Sequence, residues 1–209
     1  TGLIKIYESL ANDFNYANPK SLLIFNDNHD MSRIFTQMKE DVSKTKMAIS
    51  LMLTLPRIPQ ILYGTEILME DSANPGDHGL IRTDFPGGWK NDKSNAFTGD
   101  NLSDSQLEMQ NYLKTLLNFR KNSKAIHNGE TLHYAPKNGV YLLSRKLEDE
   151  IVIYIVNKND KSINLDTERF NEINASGKTF IDIHSKKMLE WKEKIKLESN
   201  SSIILSTKI

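Results

Sequence analysis

The sequence predicts an α/β unit followed by an antiparallel all-β domain. Up to about residue 122, short apolar runs alternate with stretches of helical spacing, the order that builds parallel βα units. From about residue 127 the period changes. Short apolar, largely β-branched runs then follow one another between Asn, Asp, Lys and Gly turns.

Leu3, Ile6, Tyr7 and Leu10 have helical spacing, so residues 2–12 are predicted to form a helix, and Asn18-Pro19 breaks it. Leu22–Phe25 is a short buried strand. Met47, Leu51 and Leu55 share one face of a helix over 41–55, with Ala48 and Met52 beside them, and Pro56 stops it. Gln60–Tyr63 reads as the next strand, closed by Gly64. Residues 70–102 are rich in Gly, Asp, Asn and Pro; irregular stretches of this length are uncommon and often functional. Ser103 and Gln106 form a capping box that opens a helix to about Asn122, with Leu113, Leu116 and Leu117 on its apolar face. Val140–Ser144, Ile151–Val156, Phe180–Ile183, Ile195–Leu197 and Ile203–Leu205 read as the strands of a β-sandwich. The division falls between 1–124 and 125–209. Two parallel strands are a quarter of those in a closed eight-stranded barrel of about 250 residues. The first unit is therefore a small open α/β unit or the last part of a larger barrel, with the start at Thr1 read as a cut.

Composition narrows the function. Of 209 residues, 38% are hydrophobic and 26% charged, which is globular rather than disordered. The 27 basic side chains equal the 27 acidic ones, so no overall positive field favours nucleic acid. The absence of cysteine excludes disulfides, thiolate metal sites and a cysteine nucleophile. No apolar run is long enough to predict a membrane-spanning helix.

In parallel α/β folds, sites form at the carboxyl ends of strands. Asn28, His29 and Asp30 sit just past such an end. Asp30 suits stabilising positive charge or gripping hydroxyls, and His29 suits donating a hydrogen bond. The same residues also suit an ordinary turn. "EDSANPGDHG", residues 70–79, offers oxygen ligands for calcium, but its spacing fits no EF-hand and favours a solvated turn. Asp182 and His184 share a strand face, and a metal needs more ligands than those. His127 and His133 lie in no motif, and Tyr7, Met47 and Met52 are core by spacing.

Three stretches taken together carry more: "FNDNHD" at 25–30, "LPRIPQILYGTEI" at 55–67 and "DHGLIRTDFPGGW" at 77–89. In this order they resemble the glycoside hydrolase family that contains α-amylase, and within it the neopullulanase and cyclomaltodextrinase branch. The second resembles a segment written around G-x-P followed by Y-G-x-E. Pro59, Tyr63, Gly64 and Glu66 match those positions, and Arg57 stands at the Gly position.

The resemblance implies the last two strands and helices of a (β/α)8 TIM barrel, followed by the β-sandwich domain. It implies the carboxyl-terminal part of a retaining hydrolase of α-1,4 (and α-1,6) glucosidic bonds. Asp30 would be the transition-state stabiliser. His29 would hold sugar hydroxyls, with Asn28 beside it. Arg33 would orient the carboxylate, contact sugar or make a structural pair. Trp89 would stack on a sugar ring or anchor its loop. Glu66 would be structural. The nucleophile and the acid/base would precede Thr1, so the chain alone would be inactive. The partner is an α-glucan or malto-oligosaccharide, and the resemblance calls for no cofactor. It favours a periplasmic or extracellular location for the parent protein. Open strand edges predict self-association through barrel surfaces. The alternative is a standalone carbohydrate-binding or interaction module.

Overall fold

The structure, a computed structural model, describes residues 2–208. Helix α1 (Gly2–Ala11) turns Leu3 and Leu10 inward and is followed by tight turns at Asp13–Asn15 and Pro19–Ser21. Strand β1 (Leu23–Phe25), the short helix α2 (Ile34–Gln37) and helix α3 (Val42–Thr54) come next. Asp41 caps α3 by accepting the Lys44 N–H at 3.0 Å, which satisfies one of the unpaired donors of the first turn. Strand β2 (Ile58–Gln60) pairs in parallel with β1, Leu23 opposite Ile58 and Phe25 opposite Gln60.

The second strand thus lies two residues before the run expected at Gln60–Tyr63. The ladder starts where the Ile58 N–H donates to the Leu22 carbonyl, at 3.0 Å. Beyond Gln60 the chain leaves the ladder toward Gly64, and Ile61 is apolar because it packs against the common core.

The long loop contains helix α4 (His78–Ile81), opened by Asp77, whose Oδ1 accepts from the Gly79 and Leu80 amides. Helix α5 (Asp104–Asn122) starts with the expected capping box. A short helix, α6 (Lys124–Asn128), follows at once and was not foreseen. Ser123 makes the junction: its N–H donates to carbonyls that end α5, and its Oγ accepts the Ile126 N–H that opens α6.

The remaining strands are β3 (Glu130–Lys137), β4 (Val140–Leu147), β5 (Glu150–Asn157), β6 (Ile163–Asp166), β7 (Thr179–Asp182), β8 (Met188–Glu190), β9 (Lys194–Leu197) and β10 (Ser201–Ser206). Strands β3, β6 and β8 alternate between exposed and half-buried residues, so none of them contains the continuous apolar run that marks a covered strand. One antiparallel sheet has the order β3-β4-β5-β10-β7-β8, and β6 pairs with β9 in a second.

Side chains alternate across the larger sheet. Val140, Leu142, Ile153, Ile155 and Leu205 face Ile195 and Leu197 of β9, forming the sandwich core with Phe170 and Phe180. Tyr141, Leu143, Val152, Tyr154 and Ile204 point the other way, onto Met47 and Leu51 of α3 and Leu113 and Leu116 of α5. The sheet is therefore a middle layer, and one apolar core joins it to the helical unit. The Tyr154 hydroxyl, buried in that core, donates to the Met47 carbonyl at 3.0 Å.

Candidate functional site

Asn28, His29 and Asp30 form a turn just past the carboxyl end of β1. Asn28 Oδ1 accepts the Asp30 N–H at 2.8 Å, which fixes the turn by a local side-chain bond. Beneath it Asp27 is buried and accepts the Ile34 N–H at 2.6 Å, tying the turn to α2. Burial pushes the Asp27 carboxyl above its ordinary range, against the opposing pull of the Ile34 amide and Arg33.

The polar side chains of the turn point outward. His29 and Asp30 are both exposed, with His29 Nε2 3.3 Å from Asp30 Oδ2. Arg82, just past the end of α4, donates through Nη2 to Asp30 Oδ1 at 2.7 Å and through Nε to the His29 carbonyl at 3.0 Å. His78, one helical turn earlier, lies with Nδ1 3.1 Å from Arg82 Nη2. Two separate segments, 28–30 and 78–82, thus converge on one carboxylate. Sequence reasoning missed Arg82 and His78. Both lie inside the third resembling stretch, and their i, i+4 spacing was the available signal.

Arg33 has a different place. It is 1% exposed and its guanidinium faces the interior. Nε and Nη2 donate to the Ile81 carbonyl, at 3.0 and 2.6 Å, and Nη1 donates to the Tyr63 carbonyl at 2.7 Å. The guanidinium also lies over the Tyr63 ring, 5.0 Å from its centroid. Arg33 therefore links the segment after β1, the end of β2 and the end of α4 from below.

This clamp gives the Tyr63-Gly64 pair a physical reason. Gly64 has φ +86°, and a Cβ there would sit 2.3 Å from Met69 Sδ and 3.0 Å from Arg33 Nη1. Glu66 lies in the tight turn Thr65–Ile67, away from the carboxylate turn in sequence and half-buried.

Trp89 is 68% exposed, on a different loop, and its ring stacks on no aromatic partner among the described residues. Asp92 Oδ2 accepts the Gly87 N–H at 2.7 Å and the Trp89 N–H at 3.0 Å, so the backbone under the indole is held in place. The structure brings Asn28, His29 and Asp30 together with Arg82; Trp89 makes no hydrogen bond or ring contact to them.

The carboxylates of 70–79 serve the backbone. Asp71 accepts the Arg33 N–H at 3.1 Å and the Gly76 N–H at 2.8 Å. Burial would raise its pKa, but these bonds and those from Thr36 and Ser32 outweigh burial and hold it below the ordinary value. Asp182 likewise accepts the His184 N–H at 3.1 Å and the Ser185 hydroxyl at 2.6 Å. The His184 ring stacks on Tyr112 of α5 with centroids 3.6 Å apart.

The chain is similar to known proteins. Residues 131–206 match the family described as the cyclo-malto-dextrinase C-terminal domain. A cyclomaltodextrin glucanotransferase of Paenibacillus macerans is 28% identical over 158 residues, 76% of this chain and 19% of that protein. The intracellular maltogenic amylase of Bacillus subtilis is 25% identical over 207 residues, 97% of this chain and 32% of that protein. The crystal structure of AmyP in complex with maltose superposes with a TM-score of 0.75 at 18% identity, covering 97% of this chain and 44% of that one. That of Geobacillus thermoleovorans α-amylase with acarbose gives 0.71 at 20% identity, covering 96% and 42%. The chain thus spans about a fifth to a third of the length of the curated relatives it matches.

These likenesses define the class: the chain is related to the glycosidases of the α-amylase family. Within that likeness, residues 131–206 carry the match to the cyclo-malto-dextrinase C-terminal domain.

Proposed function

We propose that the chain is the carboxyl-terminal portion of a retaining α-glucan hydrolase of the neopullulanase and cyclomaltodextrinase kind, acting on α-1,4 and also α-1,6 glucosidic bonds. In this reading 1–124 is the last part of the catalytic barrel and 125–209 its β-domain. The observation that carries it is the Asp30 carboxylate, exposed past the end of a parallel strand and held by Arg82. A carboxylate fixed in that way stabilises the positive charge that develops on the sugar ring as the glycosidic bond breaks. His29 and Asn28 supply hydrogen bonds to ring hydroxyls, and such bonds strengthen in the transition state. Arg33 positions the turn from beneath rather than touching sugar. Retaining chemistry also needs a nucleophile and an acid/base about 5–5.5 Å apart. The proposal takes both from outside residues 1–209, so this chain alone does not turn over substrate.

The test is direct. The purified chain is incubated with maltodextrin and titrated with maltotriose. No reducing sugar should form, while maltotriose should bind weakly and Asp30→Asn should abolish that binding. Release of sugar at a measurable rate by the chain would sink the proposal. The exposed Trp89 favours a second reading, a carbohydrate-binding module. There Trp89→Ala abolishes binding and Asp30→Ala leaves it intact.

The same proposal accounts for apolar strand surface facing water. Leu23 is 55% and Ile58 51% exposed, on strands that have only each other as ladder partners among the described residues. Self-association through these strands is expected. Sedimentation should show it rising with concentration, and the double variant Leu23→Lys, Ile58→Lys should remain monomeric.

A further inference from the structure

At the opposite end of the parallel pair from Asp30 lies a second cluster. Arg57 immediately precedes β2, so it marks the end where that strand begins. It lines a cavity of about 270 Å³ with Lys20, Arg120 and His127. We propose that this cavity is an anion site that takes a phosphoryl group. The inference is independent of the function proposed above.

The charge balance carries the argument. Asp13 is the carboxylate paired with the cluster: it accepts from Arg57 Nη1 at 3.1 Å and makes a second, shorter contact to Nη2. Arg145 stands directly behind the wall. Its Nη2 donates to the Ile126 and Gly129 carbonyls, each at 2.9 Å, and Ile126 itself lines the cavity. Arg145 is 0% exposed, and its Nε and Nη1 have no partner among the described residues. Four basic side chains, Lys20, Arg57, Arg120 and Arg145, thus meet one carboxylate.

Helix ends explain part of this. Arg120 donates to the Leu53 carbonyl of α3 at 2.5 Å, and Lys20 to the Asn128 carbonyl of α6 at 3.1 Å. A helix carboxyl end carries only about half a negative charge, and α6 is a single short turn. Those carbonyls leave the cluster strongly positive and two buried N–H-bearing atoms unsatisfied. Burial, reinforced by repulsion from Arg120 and Arg57, lowers Arg145 to about 10.

A tetrahedral oxyanion supplies the missing negative charge and offers acceptors to Lys20, Arg57 and Arg120, while Arg145, which does not line the cavity, acts on it through charge alone. Guanidinium groups match its geometry in pairs. The cavity lies below the ~300–1,000 Å³ typical of larger organic ligands, which fits phosphate or the phosphorylated end of a sugar. Arg57 is also where this sequence departs from the resembling motif, which has Gly there. A large basic side chain at that position gives the cavity its central cation.

The test uses the full chain at pH 7 and constant ionic strength, titrated calorimetrically with inorganic phosphate and with glucose 6-phosphate. One saturable site is expected. Arg57→Gly, which also removes the pair with Asp13, should weaken binding about tenfold. Lys20→Gln alters an exposed side chain and should weaken it about threefold without disturbing the fold. Lys39→Gln, outside the cluster, should change nothing. Equal affinities for the two probes assign free phosphate as the ligand; tighter binding of glucose 6-phosphate, by about tenfold, assigns a phosphorylated sugar. No saturable binding of either probe, or affinity unchanged in both Lys20→Gln and Arg57→Gly, overturns the proposal.

Discussion

Strands β5 and β1 begin from the same kind of sequence and end in different surroundings. "IVIYIV" at 151–156 and "LLIF" at 22–25 are both uninterrupted apolar runs. Strand β5 has β4 on one side and β10 on the other, helices over one face and the small sheet over the other, and all eight of its residues are buried. Strand β1 pairs with β2 alone, and both Leu23 and Phe25 are exposed. A continuous apolar run is the signature of a strand covered on both faces. The sequence of β1 is therefore written for more cover than the described residues give it.

The comparison breaks most sharply by truncating one side chain in each strand. Ile153→Ala opens a cavity in the sandwich core and should destabilise by about 2–5 kcal/mol. Leu23→Ala, at an exposed position, should stay within about 0.5 kcal/mol. Urea denaturation of both variants measures the difference. Equal losses would mean that β1 is as well covered as β5. A smaller effect tests the face of β5 that meets α3. Tyr154→Phe keeps the ring and removes the bond to the Met47 carbonyl, and should cost about 1–1.5 kcal/mol in the same assay.

How far these two regions could be read from sequence follows the same physics. Helices α1, α3 and α5 were legible because apolar spacing agreed with an end signal in each: Asn18-Pro19 after α1, Pro56 after α3 and the Ser103–Gln106 capping box before α5. Strands β4, β5 and β10 were legible because they are covered on both faces. Strands β3 and β8 are sheet edges, and β6 lies in a two-stranded layer with one wet face, so their apolar residues alternate with polar ones and were missed, whereas β7 and β9 were read from Phe180–Ile183 and Ile195–Leu197. The shift of β2 by two residues arose because the apolarity of Ile61 serves packing rather than the ladder. At the proposed site, the place of Asn28, His29 and Asp30 just past a strand was legible. Arg33 was legible as a residue of importance, but its direction was not, since no spacing rule tells a guanidinium turned toward carbonyls from one turned toward a cleft. Arg82 is 52 positions from Asp30, and only the fold brings them together.

The helix-facing side of the sheet should also respond to pH where the sandwich side does not. His184 stacks on Tyr112, and its Nε2 is buried without a partner among the described residues. Burial lowers its pKa from 6.5 to about 4, Asp182 opposing this and Lys46 and Lys186 adding to it. The fold thus favours neutral imidazole, while the unfolded chain takes up the proton first. Stability is full above pH 6.5, declines as pH falls, and stops declining from this cause near pH 4. Burial shifts His133 in the same direction, so it adds to the slope. Asp41 and Asp71, held low, weaken the fold only below the ordinary carboxylate value of 3.8. Denaturation midpoints from pH 8 to pH 4 should therefore fall less steeply in His184→Phe than in the parent chain. An unchanged slope would assign the acid response elsewhere.

The smallest effect on stability is expected where the effect on sugar binding is largest. Arg82 and Asp30 are exposed, and an exposed ion pair contributes ~0–1 kcal/mol. Arg82→Ala should leave the urea midpoint within about 0.5 kcal/mol of the parent. It also releases Asp30 Oδ1 and the His29 carbonyl together, so the turn past β1 loses its link to α4. Maltotriose affinity should then fall by about tenfold, since the carboxylate is no longer held in one place. Arg82→Lys keeps the charge but has no planar fork to span both acceptors, so it should recover part of the affinity at most. Full recovery in Arg82→Lys would mean that charge alone, and not the fixed direction of Asp30, is what the turn requires. A large loss of stability in either variant would place Arg82 among the residues that hold the fold, as Arg33 does beneath it.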